Sequence, residues 1–421
     1  MRKIHALFLE RGEEIARTIT TEMGKTITET LEEVFEYAAP SYHRAAEEVL
    51  RHRGLTLPST QERTNDKRLV QTFRPIGVVA VISPYNFPTD ISSIGISSAL
   101  ASGNAVVWKP SEYTPTCCGM VAEIIHEAGL PPGVFNVVPG LGDVGAALVE
   151  HDDVDGVFFT GSTATGEHIT SRAGLKRLLL ELGGDGPQIV LPDADVDAAV
   201  EGAIVGCFYL AGQVCTSAER LLVHEDVHDE FVEKFKARVA QLQIGDPLDR
   251  ATDMGPLCNA ATRVRVEEHV ADAVARGAEI AQFGPDEGLY YPATVLTGVT
   301  TEMQIAREET FGPVAPIIKI SSAEEAIEIA NSSDLGLIAS LYTRDLSTAW
   351  RVGEALQHAT VNINETTNYW DQLAPFGGAK KSGIGRELSH WFLDTFTESK
   401  LLVFDIGDKS GTADRRGTGD W

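Results

Sequence analysis

The segment Pro75-Ile76-Gly77-Val78-Val79-Ala80-Val81-Ile82-Ser83-Pro84-Tyr85-Asn86-Phe87-Pro88 joins a short apolar run to a polar turn. Three further apolar runs also end in polar or glycine-containing turns: Ala105-Val106-Val107-Trp108, Phe135-Asn136-Val137-Val138 and Gly156-Val157-Phe158-Phe159. Helical patterns separate these runs, for example at 116–128 and 144–150. The alternation predicts an α/β fold with a doubly wound parallel sheet. Ligands bind such sheets at the carboxyl ends of the strands, where all four turns lie.

The rest of the chain divides around these strands. Residues 1–53 have apolar side chains at helical spacing and, with 76–183, form one predicted α/β domain. A second α/β pattern covers 184–390, with helices near 227–242 and 263–276 and a glycine-rich loop at 377–386. The segments 54–75 and 395–407 predict a small β element outside the main sheet. The polar residues 408–421 predict a disordered tail.

The composition excludes several classes of partner. The 421 residues carry a net charge of −26 with a pI near 4.8, which would repel nucleic acid. No stretch reaches the roughly 20 apolar residues that span a bilayer. The five cysteines include no CxxC pair, and their odd number does not suggest a framework of disulfide bonds. Both points favour a reducing, cytoplasmic location.

One cysteine stands out by its surroundings. The stretch Phe208-Tyr209-Leu210-Ala211-Gly212-Gln213-Val214-Cys215-Thr216-Ser217 places Cys215 after a glycine-bearing turn and before small hydroxyl residues. An intracellular cysteine is more often part of the core than reactive. A thiol beside the free amides of a turn can ionise and act as a nucleophile. Cys215 is therefore a candidate nucleophile, whereas Cys207 and the Cys117-Cys118 pair are expected to be packing residues.

Seven motifs, in order along the chain, carry a family resemblance. They are Ser83-Pro84-Tyr85-Asn86-Phe87-Pro88, Trp108-Lys109-Pro110-Ser111-Glu112, Phe159-Thr160-Gly161-Ser162-Thr163-Ala164-Thr165-Gly166, Glu181-Leu182-Gly183-Gly184, Gly212-Gln213-Val214-Cys215, Glu309-Thr310-Phe311-Gly312-Pro313 and Pro375-Phe376-Gly377-Gly378. The chain resembles the aldehyde dehydrogenase superfamily from its first helices to Phe404, without that family's usual N-terminal segment. The resemblance implies a Rossmann-type cofactor domain (1–53 and 76–183), a catalytic domain (184–390) and a β oligomerisation element.

The resemblance also assigns three catalytic roles. Cys215 would attack the aldehyde as a thiolate, and Asn86, with the backbone N–H of Cys215, would bind the oxyanion. After hydride transfer, Glu181 would activate the water that hydrolyses the thioester. Alone, Asn86 would more often be a turn former and Glu181 a solvated strand end, so the assignment depends on the joint pattern.

The resemblance further implies a dinucleotide site. Lys109 and Glu112 would bind the adenosine ribose, Gly161 and Ser162 the pyrophosphate, and Glu309 and Phe311 the nicotinamide side. The full expected set is Ile82, Ser83, Pro84, Tyr85, Lys109, Glu112, Gly142, Thr160, Gly161, Ser162, Gly166, Leu182, Gly183, Glu309 and Phe311. Because a carboxylate at Glu112 suits two ribose hydroxyls better than a 2′-phosphate, NAD is preferred over NADP.

The substrate is less well defined by the sequence. The expected pocket residues are Phe87, Ile94, Val214, Thr216, Trp370 and Phe376. Ile94-Gly95-Ile96 stands where some semialdehyde relatives carry an arginine, which lowers but does not exclude a succinate-semialdehyde substrate. Thr216 and the polar residues 364–368 favour a small hydroxylated aldehyde such as lactaldehyde or glyceraldehyde. The alternatives are a CoA-acylating semialdehyde dehydrogenase, which Glu181 disfavours, and a non-catalytic paralogue. The β element predicts a homodimer or homotetramer.

A metal motif must also be considered. His224-Glu225-Asp226-Val227-His228 matches the HExxH pattern of zinc proteases, which needs both histidines on one helix face. We expect His224 to end a strand and the helix to begin near Val227 after an Asp226 cap. The two imidazoles would then not face one metal, and no metal site is predicted.

Overall fold

The structure, a computed structural model, describes residues 1–61 and 65–407, so the predicted tail at 408–421 lies outside the described residues. The helices are α1 (Arg2–Met23), α2 (Ile27–Glu32), α3 (Ala39–Glu48), α4 (Asp90–Ala101), α5 (Pro115–Glu127), α6 (Gly142–Glu150), α7 (Thr163–Arg172), α8 (Val196–Phe208), α9 (Glu225–Val239), α10 (Ala260–Ala275), α11 (Ala323–Asn331), α12 (Leu346–Ala355) and α13 (Trp391–Thr395). A π-helical turn, Glu33–Ala38, joins α2 to α3, and short 3-10 segments lie at Tyr209–Gly212 and Gln304–Ala306.

The strands are β1 (Thr56–Leu57), β2 (Lys67–Pro75), β3 (Val78–Ile82), β4 (Ala105–Lys109), β5 (Phe135–Val137), β6 (Gly156–Thr160), β7 (Arg177–Glu181), β8 (Pro187–Val190), β9 (Arg220–His224), β10 (Glu279–Phe283), β11 (Ala293–Thr297), β12 (Val314–Ile320), β13 (Leu335–Gly336), β14 (Ile338–Tyr342), β15 (Thr360–Ile363), β16 (Ala379–Lys380), β17 (Gly383–Ile384) and β18 (Thr397–Asp405). All the apolar runs that predicted strands are strands.

The first sheet has the strand order β17-β7-β6-β3-β4-β5. Strands β3 to β7 are all parallel to one another, which confirms the predicted parallel sheet. The chain goes outward from β3 to β5 and then returns to place β6 on the other side of β3. Ile82, at the end of β3, is therefore in register with Phe159 on β6 and Lys109 on β4. This reversal brings the polar turns of β3 and β6 side by side.

The second sheet has the order β10-β11-β12-β9-β8-β14-β15 and is parallel except at β10. The chain passes from the first sheet to this one between Glu181 and Pro187. Because this crossing includes residue 184, we propose that the boundary between the two α/β domains lies there. One expectation for 377–386 was wrong. This segment is not only a loop, because β16 pairs with β13, and β17 adds an antiparallel strand to the first sheet beside β7.

The third sheet, β1-β2-β18, is separate from the other two, as the sequence predicts for its β element. Strand β18 pairs with β2 along its whole length, from Thr397 opposite Pro75 to Asp405 opposite Lys67. Its other edge is open within the described part of the chain, and Leu401, Val403 and Phe404 are exposed on it.

The N-terminal helices cover one face of the first sheet. Ile4, Phe8 and Ile15 recur at helical spacing on α1 and are fully buried in one core with Val79 and Val81 of β3. This packing confirms the helix predicted from their spacing. No helix in residues 1–61 or 65–407 is long and apolar enough to cross a membrane.

Candidate active site

The loop before Cys215 has an unusual backbone. Leu210 and Ala211 have φ values of 54° and 52°, and Gly212 follows with φ 71°. Two consecutive non-glycine residues in the left-handed region cost of order 1–3 kcal/mol each, so surrounding contacts must hold them. Glu29 accepts a hydrogen bond from the Leu210 N–H at 2.7 Å, and the Leu210 carbonyl accepts from the Gln213 N–H at 3.1 Å. The strain is located directly before the candidate nucleophile.

Cys215 lines two cavities at once, and among their lining residues it is the one they share. Its surroundings correct one expectation. Burial, followed by the negative charges of Glu309, Glu181 and Glu387, raises the pKa of the Cys215 thiol. In this state the thiol therefore stays protonated at neutral pH, whereas the nearby turn amides had suggested a thiolate. The sequence showed the amides, but it could not show that three carboxyl groups converge on the sulfur.

Asn86 lies beside the cysteine loop. Its side chain is 4% exposed, and Nδ2 donates to the Gln213 carbonyl at 3.0 Å. Asn86 and Cys215 line the same cleft, so the structure brings them together. The Asn86 amide group has two N–H bonds. One of them donates to Gln213, which fixes the orientation of the side chain, and the other is not used in this hydrogen bond.

Glu181 ends strand β7 and is 2% exposed. Neither carboxyl oxygen has a hydrogen-bond partner. Burial, and then the negative charge of Glu387, raises the pKa of Glu181 well above its usual value. Gly377 leaves room for this side chain, because a Cβ there would lie 2.6 Å from Glu181 Oε1. Glu181 is close enough to affect the Cys215 pKa, although it is not among the residues that line either cavity.

The cavity on one side of Cys215 is small, with a free volume of about 40 Å³. All six residues expected to line the substrate pocket do line it: Phe87, Ile94, Val214, Thr216, Trp370 and Phe376. The Thr216 hydroxyl donates to Asn368 Oδ1 at 2.6 Å, so it is held by the polar loop that the sequence analysis had noted. A cavity of this volume has space for only a few heavy atoms.

Two carboxyl groups in this cavity were missed by the sequence analysis. Asp90 and Glu387 line it, with 4% and 5% exposure. Burial raises the pKa of each to about 8; the Glu33 charge adds to the shift at Asp90, and the Asp90 charge adds to it at Glu387. The signal for Asp90 was an acidic residue that opens an otherwise apolar and small-residue helix, α4. Glu387 directly follows a glycine-rich segment and carried no signal of its own.

The cleft on the other side of Cys215 runs along the carboxyl ends of β3 and β6. It consists of two adjoining parts with free volumes of about 260 and 370 Å³. Every residue expected to bind the cofactor lines it except Gly166. Gly166 lies behind the wall, because a Cβ there would meet Leu182 Cδ1 at 2.5 Å. The residues Tyr113, Asn259, Thr262 and Arg265 also line the cleft and were not predicted.

The far part of the cleft suits the anionic and hydroxylated groups of a dinucleotide. Ser162 caps α7, and its Oγ accepts from the Thr165 N–H at 3.3 Å. The free N–H groups of a helix start attract phosphate and so offset the negative field of the protein. Lys109 Nζ lies 3.3 Å from Glu112 Oε2, which places one donor group and one acceptor group together at the end of β4.

The near part of the cleft is held by Glu219. This buried carboxyl accepts from the Thr310 N–H at 3.1 Å and the Phe311 N–H at 2.9 Å. Phe311 has φ 57°, and its ring meets that of Tyr85 edge to face at 6.3 Å. Glu309 accepts from the Gly184 N–H at 3.1 Å, and burial raises its pKa to about 7. Glu219 therefore orients the backbone that presents Glu309 and Phe311 to Cys215.

The HExxH pattern does not form one site. His224 ends β9, as expected, and its Nε2 lies 2.9 Å from the Ser321 carbonyl. The helix start was predicted wrongly. α9 begins at Glu225, and His224 itself is the cap, with Nδ1 accepting from the Asp226 N–H. His228 Nδ1 contacts Asp229 instead. In the described residues, no group of three or more His, Cys, Asp or Glu side chains could hold a metal ion.

Comparison with known proteins agrees with this geometry. A family model described as "Aldehyde dehydrogenase family" matches residues 1–402. Glutarate-semialdehyde dehydrogenase of Pseudomonas putida is 40% identical over 410 residues, which cover 96% of this chain and 84% of that protein. An NADP-dependent succinate-semialdehyde dehydrogenase of Escherichia coli is 41% identical over 406 residues, covering 95% and 83%. A lactaldehyde dehydrogenase structure superposes with a TM-score of 0.92 at 37% identity, covering 96% and 85%.

Proposed function

Because the chain belongs to the aldehyde dehydrogenase family and is an oxidoreductase that acts on aldehydes with NAD or NADP, we propose that Cys215 is its nucleophile. One observation carries this proposal. Cys215 stands between a small cavity with largely apolar walls, to which Asp90 and Glu387 also belong, and a long cleft with a helix N-terminus at its far end. A residue that joins substrate to cofactor must occupy this position.

The remaining roles follow from the neighbours of Cys215. The thiol must lose its proton before attack, and Glu181, Glu309 and Glu387 are the groups whose charges reach it. The carbonyl oxygen then receives hydrogen bonds from the Asn86 amide and the Cys215 N–H, and losing one such donor costs about 2.7–4 kcal/mol of barrier. Glu309 and Phe311 would hold a bound nicotinamide, which would supply the hydride acceptor. Glu181, a buried base with no hydrogen-bond partner, activates the water that releases the acid from the Cys215 thioester.

We propose NAD as the preferred cofactor. The support is Glu112, whose carboxylate lies beside Lys109 in the cleft and would repel a 2′-phosphate while accepting from two ribose hydroxyls. The relatives include an NADP-dependent enzyme, so the preference must be measured directly.

We propose that the substrate is a small polar aldehyde or semialdehyde. The support is the free volume of about 40 Å³ beside Cys215 and the names of the relatives, which include semialdehyde and lactaldehyde dehydrogenases. Water rather than CoA is the proposed acyl acceptor, because Glu181 is retained and buried close to Cys215.

We further propose a homodimer or homotetramer joined through the third sheet. The open edge of β18 runs along a nine-residue strand with three exposed large apolar side chains, which is a surface that proteins rarely leave uncovered. Sedimentation of the full chain and of Leu401→Asp would test this. The five cysteines are all unpaired, which supports the proposed cytoplasmic location.

An absorbance screen for NADH and NADPH across short aldehydes, with and without CoA, tests the proposed function. The expected result is turnover that does not need CoA, is faster with NAD and is lost in Cys215→Ala. The control is Cys207→Ala, because that thiol is buried in the core and lines neither cavity. Strict dependence on CoA, or turnover by Cys215→Ala at the wild-type rate, would overturn the proposal.

A further inference from the structure

The strained turn before Cys215 is held by a carboxyl group from a distant helix. Glu29 lies in the first turn of α2 and is 7% exposed. Its Oε1 accepts from the Leu210 N–H at 2.7 Å, and its Oε2 accepts from the Thr26 N–H and hydroxyl at 2.9 and 2.8 Å. One oxygen of this carboxyl group therefore caps its own helix, and the other binds the turn that precedes the nucleophile.

Gln213 connects this turn to the proposed oxyanion donor. Its backbone N–H and its side-chain Nε2 both donate to the Leu210 carbonyl at 3.1 Å, and its Oε1 accepts from the Cys258 N–H at 3.0 Å. The Gln213 carbonyl in turn accepts from Asn86 Nδ2 at 3.0 Å. Gln213 is 1% exposed and closely packed, so a displacement of Leu210 should also displace Gln213 and the Asn86 amide.

The turn needs the Glu29 contact to keep its shape. Leu210 and Ala211 have φ values of 54° and 52°, a region that residues with a side chain rarely occupy. Without Glu29, the buried Leu210 N–H would also lack a hydrogen-bond partner in this conformation, which is unfavourable. Loss of the carboxyl group would therefore favour relaxation of the turn to an ordinary backbone conformation.

Glu29 and Gln213 have no direct access to the reaction. Neither residue lines the substrate cavity or the cofactor cleft, whereas Asn86 and Cys215 line the cleft. An oxyanion donor acts only when it lies roughly 2.7–3.1 Å from the position of the developing negative charge. A misplacement of about 1 Å can cost roughly 10²-fold in rate. Small movements of the Asn86 amide should therefore have a large effect on turnover.

We propose that Glu29 is a positioning residue for the oxyanion site and acts through Leu210 and Gln213 on the Asn86 amide. This inference rests on the proposed roles of Cys215 and Asn86. It assigns part of the active-site geometry to the N-terminal helix α2, which contacts neither substrate nor cofactor. The chemical step should depend on Glu29, and the affinity for NAD should not.

The test is a double-mutant cycle on the rate of NADH formation in the first turnover, measured by stopped-flow absorbance with butanal and NAD. Glu29→Leu removes both acceptor oxygens, and Asn86→Ala removes the oxyanion donor. We expect Glu29→Leu to lower this rate about tenfold or more in the wild-type background but at most about twofold in the Asn86→Ala background, with an unchanged Kd for NAD.

Two results would overturn the inference alone. One is an equal fold loss from Glu29→Leu in both backgrounds, and the other is a wild-type rate in Glu29→Leu. A first-turnover rate in Asn86→Ala equal to that of the wild type would instead overturn the proposed oxyanion role, and the inference with it.

Glu325→Leu is the matched control. Glu325 lies in the first turn of α11, and its Oε2 accepts from the Ser321 N–H and hydroxyl, both at 2.7 Å, as Glu29 Oε2 does from Thr26. Glu325 lines neither the substrate cavity nor the cofactor cleft. This variant loses a similar capping contact and should keep the wild-type first-turnover rate. A loss as large as that of Glu29→Leu would overturn the inference.

If Glu29→Leu does not fold, Glu29→Asp decides. Its carboxylate is one methylene shorter, so it can still accept from Thr26 at the start of its own helix but withdraws from the Leu210 N–H. Glu29→Asp should therefore show a reduced first-turnover rate, and the reduction should shrink in the Asn86→Ala background. A wild-type rate in Glu29→Asp would overturn the inference.

Discussion

Lys25 Nζ and Glu33 Oε2 lie 2.8 Å apart, and both side chains are completely buried. The pair is connected to the active site through the backbone. Lys25 donates to the Asn86 carbonyl at 3.1 Å, and Glu33 Oε1 accepts from the Thr89 and Asp90 N–H groups at 2.9 and 3.1 Å. The N-terminal helices therefore fix the turn that carries both the candidate oxyanion donor and the acidic residue of the substrate cavity.

The buried pair should be costly to break. We expect Lys25→Met to lower the free energy of unfolding by about 3–5 kcal/mol, because the Glu33 carboxyl group would be left buried without its partner. Chemical denaturation measures this. The control is Arg2→Met, which breaks an exposed pair with Glu47 and should cost at most about 1 kcal/mol. The double variant Lys25→Met/Glu33→Leu should recover part of the loss, and equal costs for Lys25→Met and Arg2→Met would contradict the account.

A methyl group at Gly212 should damage both stability and activity. Its φ of 71° disfavours any side chain, and a Cβ would lie 2.1 Å from the Gly312 carbonyl oxygen. We expect Gly212→Ala to destabilise the protein by about 2 kcal/mol or more and to lower kcat, since the Cys215 loop must move. Gly353→Ala is the matched control, because it is helical with open space around it and should be neutral or stabilising by up to about 1 kcal/mol. Similar melting temperatures for the two variants would refute this explanation.

The buried carboxyl groups make stability fall as pH rises. Burial raises the pKa to about 8 for Asp90 and Glu219 and to about 7 for Glu309, against about 4 in the unfolded chain. The folded protein therefore holds more protons than the unfolded chain between about pH 4 and 8, and this contribution to stability is lost as pH rises through the folded pKa values. Buried His358, whose pKa burial lowers to about 3, acts in the opposite direction only below about pH 6.5.

The melting temperature of the cofactor-free protein should thus decrease between about pH 6.5 and 8 at constant ionic strength. Glu309→Gln should make the melting temperature depend less steeply on pH, because the amide group that replaces the carboxyl group does not titrate. A melting temperature that rises across this window would show that these carboxyl groups are not buried as described.

Cofactor preference should depend on Glu112. We expect Glu112→Gln to lower kcat/KM with NAD several-fold and to raise the ratio of NADP over NAD use, since the charge facing a 2′-phosphate is removed. The control Glu167→Gln removes an exposed charge on α7 that is not part of the cleft wall. Initial rates with both cofactors give the ratio, and an unchanged ratio in Glu112→Gln would argue against the proposed ribose contact.

Local signals were enough to predict much of this molecule. The apolar runs before Ser83 and Thr160 could be predicted as strands, because a buried strand appears in the sequence as a short apolar segment that ends in a turn. Both runs are parallel strands in the structure. The polar turns meet because parallel strands place their carboxyl ends at one edge. The residues expected around Cys215 came from motif order. The structure brings Asn86 and the six expected pocket residues to two cavities that share Cys215, whereas Glu181 lines neither of them.

What the sequence did not reveal depends on contacts between distant residues. Leu210 and Ala211 adopt left-handed backbone because Glu29, far away in sequence, accepts from the Leu210 N–H. The raised pKa of Cys215 depends first on burial and then on carboxyl groups that come from other segments of the chain. Asp90 opens helix α4, and only its position in the cavity shows a further role. The propensities of single residues contain no information on such convergence.

The central claim is that Cys215 carries the acyl group and Glu181 releases it. Glu181→Gln should therefore be mixed with NAD and butanal without CoA, and the protein analysed by peptide mass spectrometry while NADH is followed. The predicted result is about one equivalent of NADH followed by very slow turnover, with a butyryl group on Cys215. Steady turnover at the wild-type rate, or an acyl group on another residue, would contradict the account.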